Sequence, residues 1–249
     1  MLSHFRGESR SRLVSLLTEW AGADVEASRQ DVAQQWSAWL GPLDAIALSA
    51  AHQAVMAGTV DKRTNPHPAG TLSLNEALQH LREDLIGFIR SQQSPVASPP
   101  RGPRTGQRTE PAPVIEPDYA SYRQRYLEIE RRMEWRIAPF RLHCRQVLSQ
   151  TNTQLKQLAE LDAAMEQLLA VREEGLLSKV PALLERRFKQ WKKIETEAAE
   201  ASDAVPVQRK LVQRGADDFE QDFQNVMLAE MNFRLEPVLG LVEALAHEA

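Results

Sequence analysis

One cysteine, Cys144, stands in a chain of 249 residues, so no internal disulfide framework is available, and a reducing cytoplasm suits the composition. A bulk positive field is also missing. The formal net charge is −4, so any attraction to nucleic acid or anionic lipid must be local. No bilayer-length apolar run occurs either: the most apolar stretch of the N-terminal half, "LDAIALSAAHQAVMAG", is interrupted by Asp44, His52 and Gln53. The opening residues have no apolar core with a small-residue cleavage site, so neither a secretory signal nor membrane insertion is expected. The glycines form neither a G-x-x-x-x-G-K-[ST] nor a G-x-G-x-x-G cradle, which argues against a nucleotide site, a cofactor or a small-molecule substrate. No segment shows the period-two alternation of a half-buried strand.

What is present is helical. Hydrophobic residues make up 43% and charged residues 26%, an ordinary globular balance. Residues 92–117, "QQSPVASPPRGPRTGQRTEPAPVIEP", are rich in Pro, Gly, Ser and Thr; they have too little apolar surface to offset ordering and read as a disordered linker. The expected organisation is a small N-terminal helical domain over 1–91, this linker, and a long-helix antiparallel bundle over 118–249. The fold class is all-α.

Four helices are expected before the linker. The first carries Leu13, Val14, Leu16, Leu17 and Trp20; the second follows "SRQD" at 28–31 and holds Val32, Trp36 and Trp39; the third starts at Pro42. After an exposed loop over 61–71, "SLNE" at 73–76 has the form of a capping box and opens a fourth, with Leu74, Leu78, Leu81, Leu85 and Ile89 on one side. After the linker, Asp118 is placed to cap a helix through Tyr122, Tyr126, Met133 and Cys144, kinked near Pro139. "TNTQ" at 151–154 breaks it. A second helix runs to about Val180, Pro181 begins or bends a third, and a last one follows "SDAVP". That final helix carries Phe219, Phe223, Met227, Met231, Leu235 and Val238. It also has Leu228, Phe233, Leu239 and Leu241 off the main stripe, which places it at the centre of a bundle or in an interface with a partner or a second copy.

The stretch "VPALLERRFKQWKK" at 180–193 is the most suggestive of a ligand. At 100° per residue Leu184, Phe188 and Trp191 share the packing arc with Val180, while Arg186, Lys189 and Lys193 form a basic ridge on the other side. A base-stacking groove needs rings and cations on one surface, and this periodicity separates them. The ridge therefore suits salt-sensitive, sequence-blind contact with DNA phosphates, or it is a solvated face paired with Glu195, Glu197 and the acids of "DDFEQD" at 217–222. A second basic stretch holds Arg123, Arg125, Arg131, Arg132, Arg136, Arg141 and Arg145; helix–helix ion pairing is the favoured reading, with Arg131 and Arg132 as further candidates for DNA.

Catalytic constellations are scarce, and no enzyme is expected. Cys144 and His143 are sequence neighbours that a helix points about 100° apart, and Cys144 falls on the apolar stripe as a structural thiol. Glu76, His80 and Asp84 share a helix face that looks toward water, without the inward Glu-x-x-His pairs of a carboxylate metal site, so no metal is expected.

Four stretches, "SRLVSLLTEWAGADVEASRQDVAQQWSAWLGPLDAIAL", "YRQRYLEIERRMEWRIAPFR", "LAELDAAMEQLLAVREEGLLSKVPALLERRF" and "LAEMNFRLEPVLGLVEAL", resemble a proteobacterial family catalogued as a domain of unknown function. The resemblance covers most of the chain on both sides of the linker. Its motifs are packing patterns. It implies a cytoplasmic accessory component of a type III Zorya anti-phage defence system, working beside a flagellar-stator-like membrane motor with a peptidoglycan-binding partner. It carries over no catalytic or binding residues. The expected function is an adaptor linking that motor's signal to invading DNA or to a second soluble component; the alternative is a scaffold that binds protein only.

Overall fold

The computed structural model describes residues 11–21, 68–92, 118–200 and 205–248, with the single positions 46, 49 and 53. Among these residues every regular element is an α-helix: α1 (Arg12–Ala21), α2 (Pro68–Ser91), α3 (Tyr119–Thr151), α4 (Thr153–Leu177), α5 (Val180–Glu200) and α6 (Val205–Glu248). The helix expected after Ser28, all but positions 46, 49 and 53 of the one expected from Pro42, and all but Gln92 of the expected linker lie outside the described residues. No helix among the described residues is long and apolar enough to cross a membrane.

Local chemistry explains most of the boundaries. Asn152 alone separates α3 from α4. Its backbone is extended (φ −153°, ψ 172°), and its side-chain oxygen accepts from the Leu155 N–H at 2.7 Å, which satisfies a donor that has no partner within the helix. Asp118 occupies the N-cap position of α3, but its carboxylate makes no capping bond; its carbonyl accepts from the N–H and Oγ of Ser121 instead. α2 begins at Pro68, ahead of Ser73, so "SLNE" is not its start and part of the expected loop is helical. Proline fits there because its fixed φ and missing donor are harmless in a first turn. α3 runs on through Pro139, and α4 stops at Leu177, just short of the expected end.

At 44 residues, α6 is about 66 Å long and serves as the spine. Val226, Met227, Ala229 and Met231 are all buried, so it is enclosed on several sides, the first of the two placements that its apolar residues allow. α3 and α6 run parallel: Tyr126 meets Glu230, Glu130 meets Arg234, and Asn152 at the end of α3 meets Glu248 at the end of α6. The α4–α5 excursion returns the chain to the starting end, which makes this direction possible. α2 lies antiparallel to α3, with Asp84 against Arg136 and Phe88 under Arg132. α1 packs on α5 and α6. Leu13 of α1 and Leu74, Leu78, Leu81, Leu85 and Ile89 of α2 belong to the same buried cluster as the stripes of α3, α5 and α6.

Candidate nucleic-acid interface

The basic ridge is displayed by an aromatic core beneath it. Phe188 is buried with its ring 5.7 Å from Tyr119, 5.8 Å from Tyr122 and 5.2 Å from Phe219, and Tyr122 meets Phe219 edge-on at 4.8 Å. Such tilted and edge contacts add to the apolar burial that fixes α5 across α3 and α6. The Tyr119 hydroxyl donates to the Pro181 carbonyl, and burial pushes its own pKa up to about 12, with the nearby Glu185 charge adding to the effect. Val180 and Leu184 are buried and Trp191 is half-buried, so the aromatic side is the packing side, as the periodicity predicts.

Arg186, Lys189 and Lys193 consequently stand on the outward face of α5, with Ala182 and Gln190 among them. Lys189 reaches Glu185 at 2.6 Å and Lys193 reaches Glu197 at 3.8 Å, both within the same helix. Arg186 has no ion pair among the described residues. Two acids of the last helix, Asp222 and Glu220, are used by other groups. Asp222 takes Arg187 at 2.8 Å, and Glu220 holds Arg125 bidentately, both bonds 2.8 Å, beneath the Phe223 ring.

The second basic stretch is mostly consumed by helix–helix pairing. Arg141 and Arg145 converge on Asp162 and Glu166 of α4, with Arg141 Nη2 2.6 Å and Arg145 Nε 2.6 Å from the Asp162 carboxylate. Burial pushes the Asp162 carboxyl upward, but the two guanidinium groups outweigh it and hold the group below its ordinary value. Arg136 reaches Asp84 at 2.7 Å. Of the two arginines singled out for DNA, Arg132 lies over the Phe88 ring at 5.2 Å, and Arg131 is exposed without an ion pair among the described residues. No contact joins either of them to the α5 ridge.

Two further features were not anticipated. Glu230, in the middle of α6, is fully buried; Arg234 donates to it from Nε and Nη2 at 2.9 and 2.8 Å, Tyr126 donates at 3.2 Å, and Arg234 also reaches Glu130 at 3.0 Å. Burial raises the Glu230 carboxyl above its ordinary range, against the pull of Arg234. The signal was legible, since Glu230 and Arg234 are spaced i, i+4 on the arc of Phe223 and Met227. The second feature is a groove between α2 and α3 lined by His80, Trp135, Arg136 and His143 above Leu81 and Phe140. As for the other candidates, Cys144 is buried, its thiol pushed up to about 11 by that burial, while His143 is exposed. Glu76 and His80 are exposed and Asp84 is paired with Arg136; among the described residues no three His, Cys, Asp or Glu come together to hold a metal.

The family described as "Protein of unknown function (DUF3348)" matches residues 3–247. The chain belongs to the DUF3348 family. No curated protein and no solved structure matches this DUF3348 chain. The match takes in all six described helices almost end to end, so the α5 ridge, the buried Glu230 network and the α2–α3 groove all fall inside the family's extent.

Proposed function

We propose that this DUF3348 protein is a non-enzymatic, cytosolic helical adaptor of a Zorya-type anti-phage defence system, and that it contacts DNA phosphates through Arg186, Lys189 and Lys193. The defence setting comes from the family resemblance. The observation that supports the DNA contact is the exposure of the ridge: the Lys189 and Lys193 side chains are 72% and 77% exposed, and they are restrained only by acids one turn away on the same helix. Such pairs are worth about 0.2–0.5 kcal/mol, so a phosphate can displace them. Arg186 to Lys193 spans about 10 Å of helix, enough to follow a few phosphates along one strand. The adaptor role accords with the use of the buried titratable groups: Glu230, Arg234, Asp162, Arg141 and Arg145 all hold helices together.

The test is fluorescence anisotropy of the full chain with duplex DNA at several salt concentrations. Three phosphate contacts give a slope of log K against log salt of about −2.7, so a fourfold rise in salt weakens binding about 40-fold. The triple change Arg186→Glu, Lys189→Glu, Lys193→Glu is expected to abolish it with helicity retained. Absence of binding at low salt would leave the second reading, a scaffold for a protein partner or a second copy. Exposed apolar side chains favour that reading, with Val171 78%, Leu176 58% and Ile194 65% exposed. Docking on them would be nearly insensitive to salt and would carry a negative heat-capacity change.

A further inference from the structure

Trp135, at 71%, is the only exposed Phe, Tyr or Trp ring among the described residues; the other such rings among them are buried or half-buried. It forms one wall of the groove between α2 and α3. The floor is apolar, built from Ala77, Leu81, Pro139 and Phe140; the polar groups at the rim are Arg136, His80 and His143. No acid lines it among the described residues. Arg131, one turn before Trp135 on α3, adds an exposed cation without an ion pair among those residues. Arg136 is held by Asp84, but in a bridge whose side chains are 39% and 62% exposed, the kind that contributes little and exchanges readily.

An exposed ring beside two arginines and two imidazoles, with no acid in the groove lining, is a combination that binds unpaired nucleobases: the base stacks on the ring while the phosphates meet the guanidinium groups and the imidazole N–H donors. The α5 ridge lacks the ring. We propose that the α2–α3 groove is a site for single-stranded nucleic acid, with Trp135 as its stacking platform and Arg131, Arg136, His80 and His143 as the groups that meet the backbone. The proposal rests on the reading of the protein as a DNA-contacting adaptor and adds to it a second surface specific for unpaired bases. Trp135 lies more than a dozen residues along α3 from the Tyr119–Tyr122 end where α5 crosses, about 20 Å from it, so the two surfaces are separate.

The experiment is anisotropy of the full chain with a fluorescein-labelled oligothymidylate of about twelve nucleotides, and with an abasic oligomer of the same phosphate count. Because Trp135 is exposed, Trp135→Ala leaves the fold intact. It is expected to weaken thymidylate binding about 5- to 150-fold, the range for losing one stacked base, with the abasic oligomer unchanged and Trp135→Phe retaining most of the affinity. The triple ridge reversal is expected to weaken both oligomers alike. If Trp135→Ala leaves thymidylate binding unchanged, or weakens both oligomers equally, the stacking site is refuted. With duplex binding still sensitive to the ridge reversal, that result would leave the ridge reading standing. A Trp135 effect with an inert ridge would refute the ridge and keep the groove. Binding of neither oligomer refutes the groove outright.

Discussion

Replacing Arg234 by leucine tests the least expected part of the core. Glu230 is fully buried, and its only partners among the described residues are the Arg234 guanidinium at 2.8–2.9 Å and the Tyr126 hydroxyl at 3.2 Å. Taking away the arginine strands a carboxylate in apolar surroundings with one neutral donor. Breaking a buried pair from one side costs about 3–5 kcal/mol, since the remaining charge is uncompensated. Glu130, the third member, has a side chain 30% exposed and can rehydrate, so its loss of Arg234 adds little. The effect has a pH signature. Burial already raises the folded carboxyl of Glu230, and removing the guanidinium raises it further. A group with a raised folded pKa contributes stability below its unfolded value of about 4.3, and that contribution is lost as pH rises through the folded value. The Arg234→Leu deficit should therefore be small near pH 4 and grow toward neutrality. Urea denaturation followed by circular dichroism at several pH values measures it. Adding Glu230→Gln to Arg234→Leu removes the stranded charge and should recover most of the loss at neutral pH. A deficit below about 1 kcal/mol, or one indifferent to pH and to the second substitution, would refute the reasoning about the buried charge.

Asp162 should respond to pH in the opposite sense. Its carboxyl lies below the ordinary range, so the stability it contributes is present above the unfolded value of about 3.9 and lost as pH falls through the folded one. Asp162→Asn should cost about 1.5–3 kcal/mol at neutral pH, with the gap to the parent protein closing on acidification; urea titrations at both ends of the range check it. Cys144, buried and with its thiol near 11, should resist a disulfide exchange reagent in the native protein and react promptly in denaturant. Equal rates in the two states would contradict its place between α3 and its neighbours.

Much of the fold was legible because the apolar stripes are regular. Val180, Leu184 and Phe188 on α5, and Phe219, Phe223, Met227 and Leu235 on α6, are buried where the 3.6-residue period puts them. The separation of rings from cations on α5 followed from the same period. Boundaries were harder. Two residues with capping chemistry, Ser73 and Asp118, sit near helix starts, yet Pro68 opens α2 and Asp118 uses only its backbone. Partners were harder still. That the arginines of α3 pair with other helices was foreseen, but the choice of Asp162 over the many other acids depends on α4 folding back antiparallel about Asn152, which one helix's periodicity does not contain. Glu230 carries no mark of its own in the sequence, one polar position among the apolar residues of the last helix. Its arginine one turn later, on the same arc, was the clue to a buried pair.

The groove shows the same limit in functional terms. The requirement that rings and cations share a surface was tested within a single helix, where it rejected "VPALLERRFKQWKK" correctly as a stacking platform: Phe188 and Trp191 serve the core. Trp135 was visible as a ring off the stripe of Met133 and Ile137, but a ring off the stripe is only a surface residue until something faces it. What faces it comes from α2. His80 was assigned to a solvent face alongside Glu76 and Asp84, and that assignment holds for α2 alone; the antiparallel packing of α2 on α3 turns Asp84 toward Arg136 and brings His80 to the same groove as Trp135 and His143. The polar rim is thereby assembled from two segments separated by more than fifty residues, His80 on α2 and Arg136 and His143 on α3. A nucleic-acid surface built across helices in this way leaves no basic run and no aromatic motif in either segment, so an overall charge of −4 excludes a basic field but says nothing against a site of this size.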